Sequence, residues 1–177
     1  FALILFSKEN MALWLGFIML GIMLRKGAEF KKYIRFEIPL TMIAFLYAAI
    51  VIGWVMPELN VDGVNVQMNR YAHLGDGLTN KLLTILRNPV ETLELLLDQT
   101  KFPDAPIGIK SEFHITMILS GGALLLFRPK YLVMLIPIYA QKFLSATMEQ
   151  WSIIDHYSIE FVPIISLALI DCIRWIP

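Results

Sequence analysis

The chain has almost no cysteine, little charge and no metal-ligand spacing, and each shortage closes a class of function. Its single cysteine, Cys172, lies inside an apolar run and can form neither an intrachain disulfide nor a cysteine-based zinc site. Charged residues make up 17% of the chain, against roughly 25% in soluble domains. Basic and acidic residues number 15 each and cancel to zero net charge, so the electrostatic footprint of a nucleic-acid binder is missing. The three histidines, His73, His114 and His156, are far apart, and there is no His-x-x-x-His or Asp-x-Asp spacing, so no metal site is expected. Ser152 and Ser158 lack the context of a nucleophile elbow, and no phosphate loop is present.

What the chain does have is apolar sequence in long blocks. It is 57% hydrophobic with a mean hydropathy of +0.63, the pattern of an integral membrane protein. The expected fold is all-α: a polytopic helical bundle of which this chain is a fragment. Phe1–Phe6 has no basic leader or small-residue cleavage site, so it reads as the end of a helix rather than a signal peptide. Residues 164–177 stop while still apolar.

A helix needs roughly 20 mostly apolar residues to cross hydrocarbon. Residues 1–56 supply two spans, centred on Met11–Leu24 and Phe36–Met56, joined by a loop over 25–35. That loop holds Arg25, Lys26, Lys31, Lys32 and Arg35 against one acid, Glu29, which places it in the cytoplasm. Residues 57–112 then form an extracytoplasmic segment with two short amphipathic helices. Leu78, Leu82, Ile85 and Leu86 recur at helical spacing, as do Val90, Leu93, Leu96 and Leu97. Between them Asn88-Pro89-Val90-Glu91 reads as a helix start with a capping box. Lys101–Lys110 reads as loop.

Residues 113–177 return to the membrane. Phe113–Phe127 and Tyr131–Phe143, joined at Arg128-Pro129-Lys130, form two spans or, as an alternative, a re-entrant hairpin. Gly121-Gly122 would allow close helix approach, and Pro137 would kink its helix. An outer loop follows over 144–160 before the last apolar stretch. This threading leaves only Glu29, Glu37 and Asp171 of the acids off the outer side.

The same threading carries all three histidines to the outer face, together with Glu9, Asp76, Glu112, Asp155 and Glu160. His156 and Glu160, four residues apart, would share one helix face, so the carboxylate could orient the ring. Asp76, between Gly75 and Gly77, fits a helix N-cap as well as a site. A lone histidine at a helix end is more often an interfacial hydrogen-bonder than a catalyst. It is the expected convergence of these pairs on one outer pocket that points to a site.

The strings Lys8-Glu9-Asn10, Ser120-Gly121-Gly122, Arg128-Pro129-Lys130-Tyr131, Leu135-Ile136-Pro137 and above all Trp151–Pro163 with His156-Tyr157-Ser158 carry a resemblance over nearly the whole chain. It resembles an uncharacterised prokaryotic family of predicted membrane proteins, domain of unknown function 2079. That family is similar in architecture to membrane glycosyltransferases that use polyprenyl-phosphate sugars. The resemblance implies a multi-pass protein of the plasma membrane acting at its outer face, with the main catalytic aspartate upstream of this chain. It also implies Glu9 as a second acidic residue and His156-Tyr157 as a family string. On this reading Glu9, His156 and Glu160 are the candidate catalytic residues, and Lys8, His73, Asp76, Glu112, His114 and Tyr157 the candidate substrate-binding ones. Lys8, Arg70 or Lys110 would steady the departing phosphate. No cofactor is evident; the implied donor is a polyprenyl-phosphate sugar, and the implied partner is the lipid bilayer. A transporter or lipid-handling protein without transfer chemistry is the alternative, and an assembly subunit the third reading.

Overall fold

The computed structural model describes residues 1–8, 10–24, 28–59, 66–102, 105–153 and 156–174, with 28–33, 66, 156 and 157 described by backbone alone. Among the described residues there is no strand. In chain order the helices are α1 (Ala2–Leu5), α2 (Met11–Met23), α3 (Ala28–Ile50), α4 (Met56–Leu59), α5 (Val66–Asn69), α6 (Gly77–Arg87), α7 (Pro89–Leu97), α8 (Ile109–Leu119), α9 (Pro129–Phe143) and α10 (Val162–Ile173). Short 3-10 segments, Gly122–Phe127 and His156–Phe161 among them, punctuate the second half. These residues form two compact units. The first comprises Phe1–Gly63, Leu124–Pro137 and Ile164–Pro177; the second comprises Val64–Ala123 and Ile138–Pro163.

In the first unit α2 and α3 pack as a pair. Small residues set the contact: Ala12 and Gly16 on α2, Ala44 and Ala48 on α3, each pair four residues apart and so on one face. Leu5 and Leu15 fill the same core, and Phe17 meets Phe45 edge to face at 5.5 Å. A Cβ built on Gly21 would lie 2.5 Å from the Lys130 carbonyl oxygen, so the close approach in this unit is made there. Of the expected close-approach pair Gly121-Gly122, Gly122 does pack tightly, since an added Cβ would lie 2.5 Å from the Met117 carbonyl oxygen of α8, whereas Gly121 has a different use. Gly121 takes φ 99° just past the end of α8, a conformation that favours glycine, and it ends the helix.

One described helix is long and apolar enough to cross a membrane: Ile34–Leu59, of 26 residues. It contains a π-helical turn, Val51–Val55, in which the Met56 N–H donates to the carbonyl of Val51 five residues back. Pro57 accounts for the widening. It has no N–H for the Gly53 carbonyl, and its ring crowds that carbonyl. The basic stretch expected as a loop over 25–35 is helical from Ala28 onward, because α3 extends two turns beyond its apolar core. The other expected spans are shorter than anticipated. α2 has 13 residues, α8 has 11 and α9 has 15, at 1.5 Å per residue all below the roughly 30 Å of a hydrocarbon core.

The second unit holds the two expected amphipathic helices, α6 and α7, separated by Asn88 alone. Leu74, Leu95 and Leu144 form its small apolar core, with Ile85, Leu96 and Phe102 packed on it. The capping box does not form. Asn88 holds the N-cap position of α7 without a side-chain cap bond, Pro89 takes the first turn as expected, and Glu91 is left for another partner.

Candidate functional site

Lys110, in the first turn of α8, is fully buried within the second unit. Its Nζ donates to the carbonyls of Leu95, in the last turn of α7, and of Phe143, the last residue of α9, the latter at 3.1 Å. A helix leaves its last carbonyls without intrahelical partners and its C-terminus partly negative, so an ammonium satisfies both ends at once. The Trp151 ring lies 4.2 Å and the Phe102 ring 5.5 Å from the same nitrogen. Burial pushes the Lys110 amine down to about 8, with the Asp98 carboxylate pulling weakly the other way. The expectation that Lys110 steadies a departing phosphate is therefore corrected, because its ammonium is fully buried and already donates to two backbone carbonyls.

One turn along α8, His114 uses both ring nitrogens. Nδ1 lies 2.5 Å from the Lys110 carbonyl oxygen, and Nε2 meets the Tyr139 hydroxyl. A carbonyl only accepts, so Nδ1 carries the proton and Nε2 accepts from Tyr139. Phe113, Phe143 and Phe161 surround the pair, with Phe113–Phe143 and Phe113–Phe161 centroids 4.9 and 5.1 Å apart. Both ring nitrogens are thus engaged within the second unit.

His73 sits where there is space. It lines a partly open cavity of about 250 Å³ with Thr84, Asn88, Glu91, Lys101 and Phe102. Its ring stands edge to face on Phe102 at 5.3 Å. Burial, reinforced by the positive charges of Lys110, Lys81 and Lys101, holds its imidazole below the usual histidine range, so at neutral pH it presents a neutral ring to the cavity. Glu91, released from the expected capping role, pairs with Lys101 at 2.5 Å on the cavity wall. Nearby, burial raises the Tyr71 phenol to about 12, and its hydroxyl donates to the Gln141 carbonyl at 2.7 Å.

The candidates picked from sequence separate into three groups. His73 and His114 come together about Lys110: Phe102 bridges His73 to its ammonium, and its carbonyl holds His114. Lys8, Asp76 and Glu112 are exposed; Asp76 occupies the N-cap position of α6 without a side-chain cap bond, and Glu112 lies in the first turn of α8. None of the three makes an ion pair among the described residues. Glu160 is half-buried, and its charge helps raise the Tyr71 phenol. Glu9 and Asp155 lie outside the described residues, and His156 and Tyr157 are placed by backbone alone. That backbone corrects the pairing of His156 with Glu160. His156–Phe161 is a 3-10 helix, in which residues three apart align and residues four apart do not. No cluster of metal-ligating side chains occurs among the described residues.

A family model described as "Predicted membrane protein (DUF2079)" matches residues 1–177. The chain belongs to this family. No curated protein and no solved structure matches it. Membership of DUF2079 accounts for the exposed side of the Ile34–Leu59 helix, where Phe36, Met42, Leu46 and Trp54 stand uncovered by protein. Such a row is unfavourable in water and natural in lipid. In the first unit of the DUF2079 chain the Asp171 carboxylate binds Lys130 at 2.7 Å, with Arg128 at 3.9 Å and the Tyr131 hydroxyl at 3.4 Å. Asp171 is thus an anchored ion pair in the last turn of α10. Glu91, Lys101 and Phe102 are the site residues that sequence reasoning passed over. Glu91 had a helix-capping explanation, and the other two stood in a stretch read as loop.

Proposed function

We propose that this DUF2079 membrane protein is a glycosyltransferase-like enzyme that moves a sugar from a polyprenyl-phosphate donor at the outer face of the plasma membrane. The observation that carries the reading is the 250 Å³ cavity beside α6 and α7. Its lining has no net charge, since the Glu91 and Lys101 side chains offset each other and His73 is neutral. Hydroxyl, amide and imidazole groups from Thr84, Asn88 and His73 stand beside one aromatic wall, Phe102. A neutral polyhydroxylated ring matches that lining: its hydroxyls need both donors and acceptors, and its C–H face suits an aromatic side chain.

In such a transfer the acceptor hydroxyl gives its proton to a carboxylate while its oxygen bonds to the sugar anomeric carbon. The bond from that carbon to the carrier phosphate breaks, and the phosphate leaves with the electron pair. Glu91 is the carboxylate within the cavity. Glu9, His156 and Glu160 are the further positions assigned to the reaction, and Lys8, Asp76, Glu112, His114 and Tyr157 to substrate binding. Glycan and glycolipid composition of cells carrying the full-length protein with His73→Ala, Glu91→Gln or Glu9→Gln tests the reading. A missing or shortened product in the Glu91→Gln strain is expected. Unaltered glycans in all three strains, at normal membrane levels of the protein, would overturn it.

A further inference from the structure

We propose that the open cleft where α6 meets α7 binds a zwitterionic phospholipid head group, a phosphate ester bearing a primary ammonium as in phosphatidylethanolamine. The cleft has a volume of about 460 Å³ and is lined by Arg87, Val90, Glu91, Glu94 and Lys101 among others. Glu91 and Lys101 neutralise each other at 2.5 Å. Arg87, in the last turn of α6, and Glu94, on α7, make no ion pair among the described residues. One guanidinium and one carboxylate therefore remain for a ligand in the same cleft.

That charge pattern selects the ligand class. A purely anionic group would be drawn to Arg87 and repelled by Glu94; a purely cationic one would be drawn to Glu94 and repelled by Arg87. A group with one charge of each sign answers both. The guanidinium fork suits two phosphate oxygens, and Glu94 accepts N–H from a primary ammonium, which a quaternary ammonium cannot donate. The acyl chains also have a place to lie. Val90, on the cleft wall, is 70% exposed, and Leu86 and Leu93 on the adjoining turns are 75% and 56% exposed. The assignment rests on the cleft and its charges, not on sugar transfer, and stands or falls apart from that reading.

The test is made on the full-length protein in nanodiscs containing equal amounts of phosphatidylethanolamine, phosphatidylcholine and phosphatidylglycerol, with retained lipid read by native mass spectrometry. The ethanolamine lipid should be retained about tenfold over the other two, the scale of one charge-assisted hydrogen bond. Arg87→Gln and Glu94→Gln should each bring that ratio close to one, and the exchange of charges, Arg87→Glu with Glu94→Arg, should restore it. Soluble phosphoethanolamine is the second arm. If it binds while the lipid is not retained, the lipid assignment is wrong. Retention without head-group preference, preference for phosphatidylglycerol, or a ratio indifferent to both single variants would each overturn the proposal.

Discussion

Lys110 places an ammonium where no water reaches it, which is tolerable only because two helix ends and two aromatic faces receive it. The cost of burial remains visible in its acidity, down to about 8 from 10.5. Below pH 8 folded and unfolded chains both hold the proton, and the full penalty is present. Between about 8 and 10.5 the unfolded chain binds more protons than the folded one, so stability rises with pH across that window. His73 acts in the same sense at lower pH: with its folded value depressed, stability falls as pH drops through the usual histidine range. Thermal unfolding followed by tryptophan fluorescence should therefore give a midpoint that climbs from pH 8 to pH 10. Lys110→Met should remove the climb, and an equal slope in wild type and variant would refute the assignment. None of this was legible from the stretch Lys101–Lys110, whose prolines and glycine say loop. Of the groups that hold Lys110 only Phe102 belongs to that stretch; Leu95 stands before it and Phe143 and Trp151 well after it, and no local spacing encodes their meeting. The histidines were singled out by being few. Glu91 was passed over because Asn88-Pro89 ahead of it supplied a sufficient local reason for an acid.

Among the elements, the two glycines of α2 make unequal demands. At Gly16 an added Cβ would lie 2.8 Å from the Phe45 ring, a side chain that can turn aside. The contact at Gly21 is with the Lys130 backbone carbonyl at 2.5 Å, which can yield only if α9 moves. Gly21→Val should destabilise by about 1–3 kcal/mol, the usual range for overpacking, and Gly16→Ala by clearly less. Detergent-resistant thermal midpoints of the two variants check the order; a larger loss at Gly16 would contradict it. Helix existence and helix faces were readable in this chain because apolar spacing reports them directly, as for α6 and α7. Helix winding was not. The string His156–Phe161 carries no residue that distinguishes 3-10 from α, and on that difference the pairing of His156 with Glu160 was lost. The π turn before Pro57 is the converse case, since a proline in a helix demands some local rearrangement even where its form cannot be foreseen.

For the molecule as a whole, apolar block length and charge asymmetry led to an all-helical membrane protein. Their limit shows in the blocks around Gly121 and Pro129. The restart at Pro129 falls at the expected junction Arg128-Pro129-Lys130, but continuous hydropathy before it hides a stop at Leu119 and a 3-10 stretch, because glycine alters backbone without altering polarity. Orientation rests on the basic residues at 25–35 and on the acids gathered in 57–112, and it is open to direct measurement. Cys172 is the one cysteine of residues 1–177, so the labelling background is the full-length protein with Cys172→Ser and any cysteine outside these residues likewise replaced by serine. On it, Lys31→Cys and Asp98→Cys place one thiol in the basic stretch and one just past α7, where Asp98 is exposed. A membrane-impermeant maleimide applied to intact cells should label the variant at 98 and leave the variant at 31 unlabelled until the membrane is opened. Labelling of both from outside, or of neither, would show that 25–35 and 57–112 share a side. The sugar-transfer reading would then lose its outer-face cavity, whereas the lipid cleft at Arg87 and Glu94 would merely change leaflet.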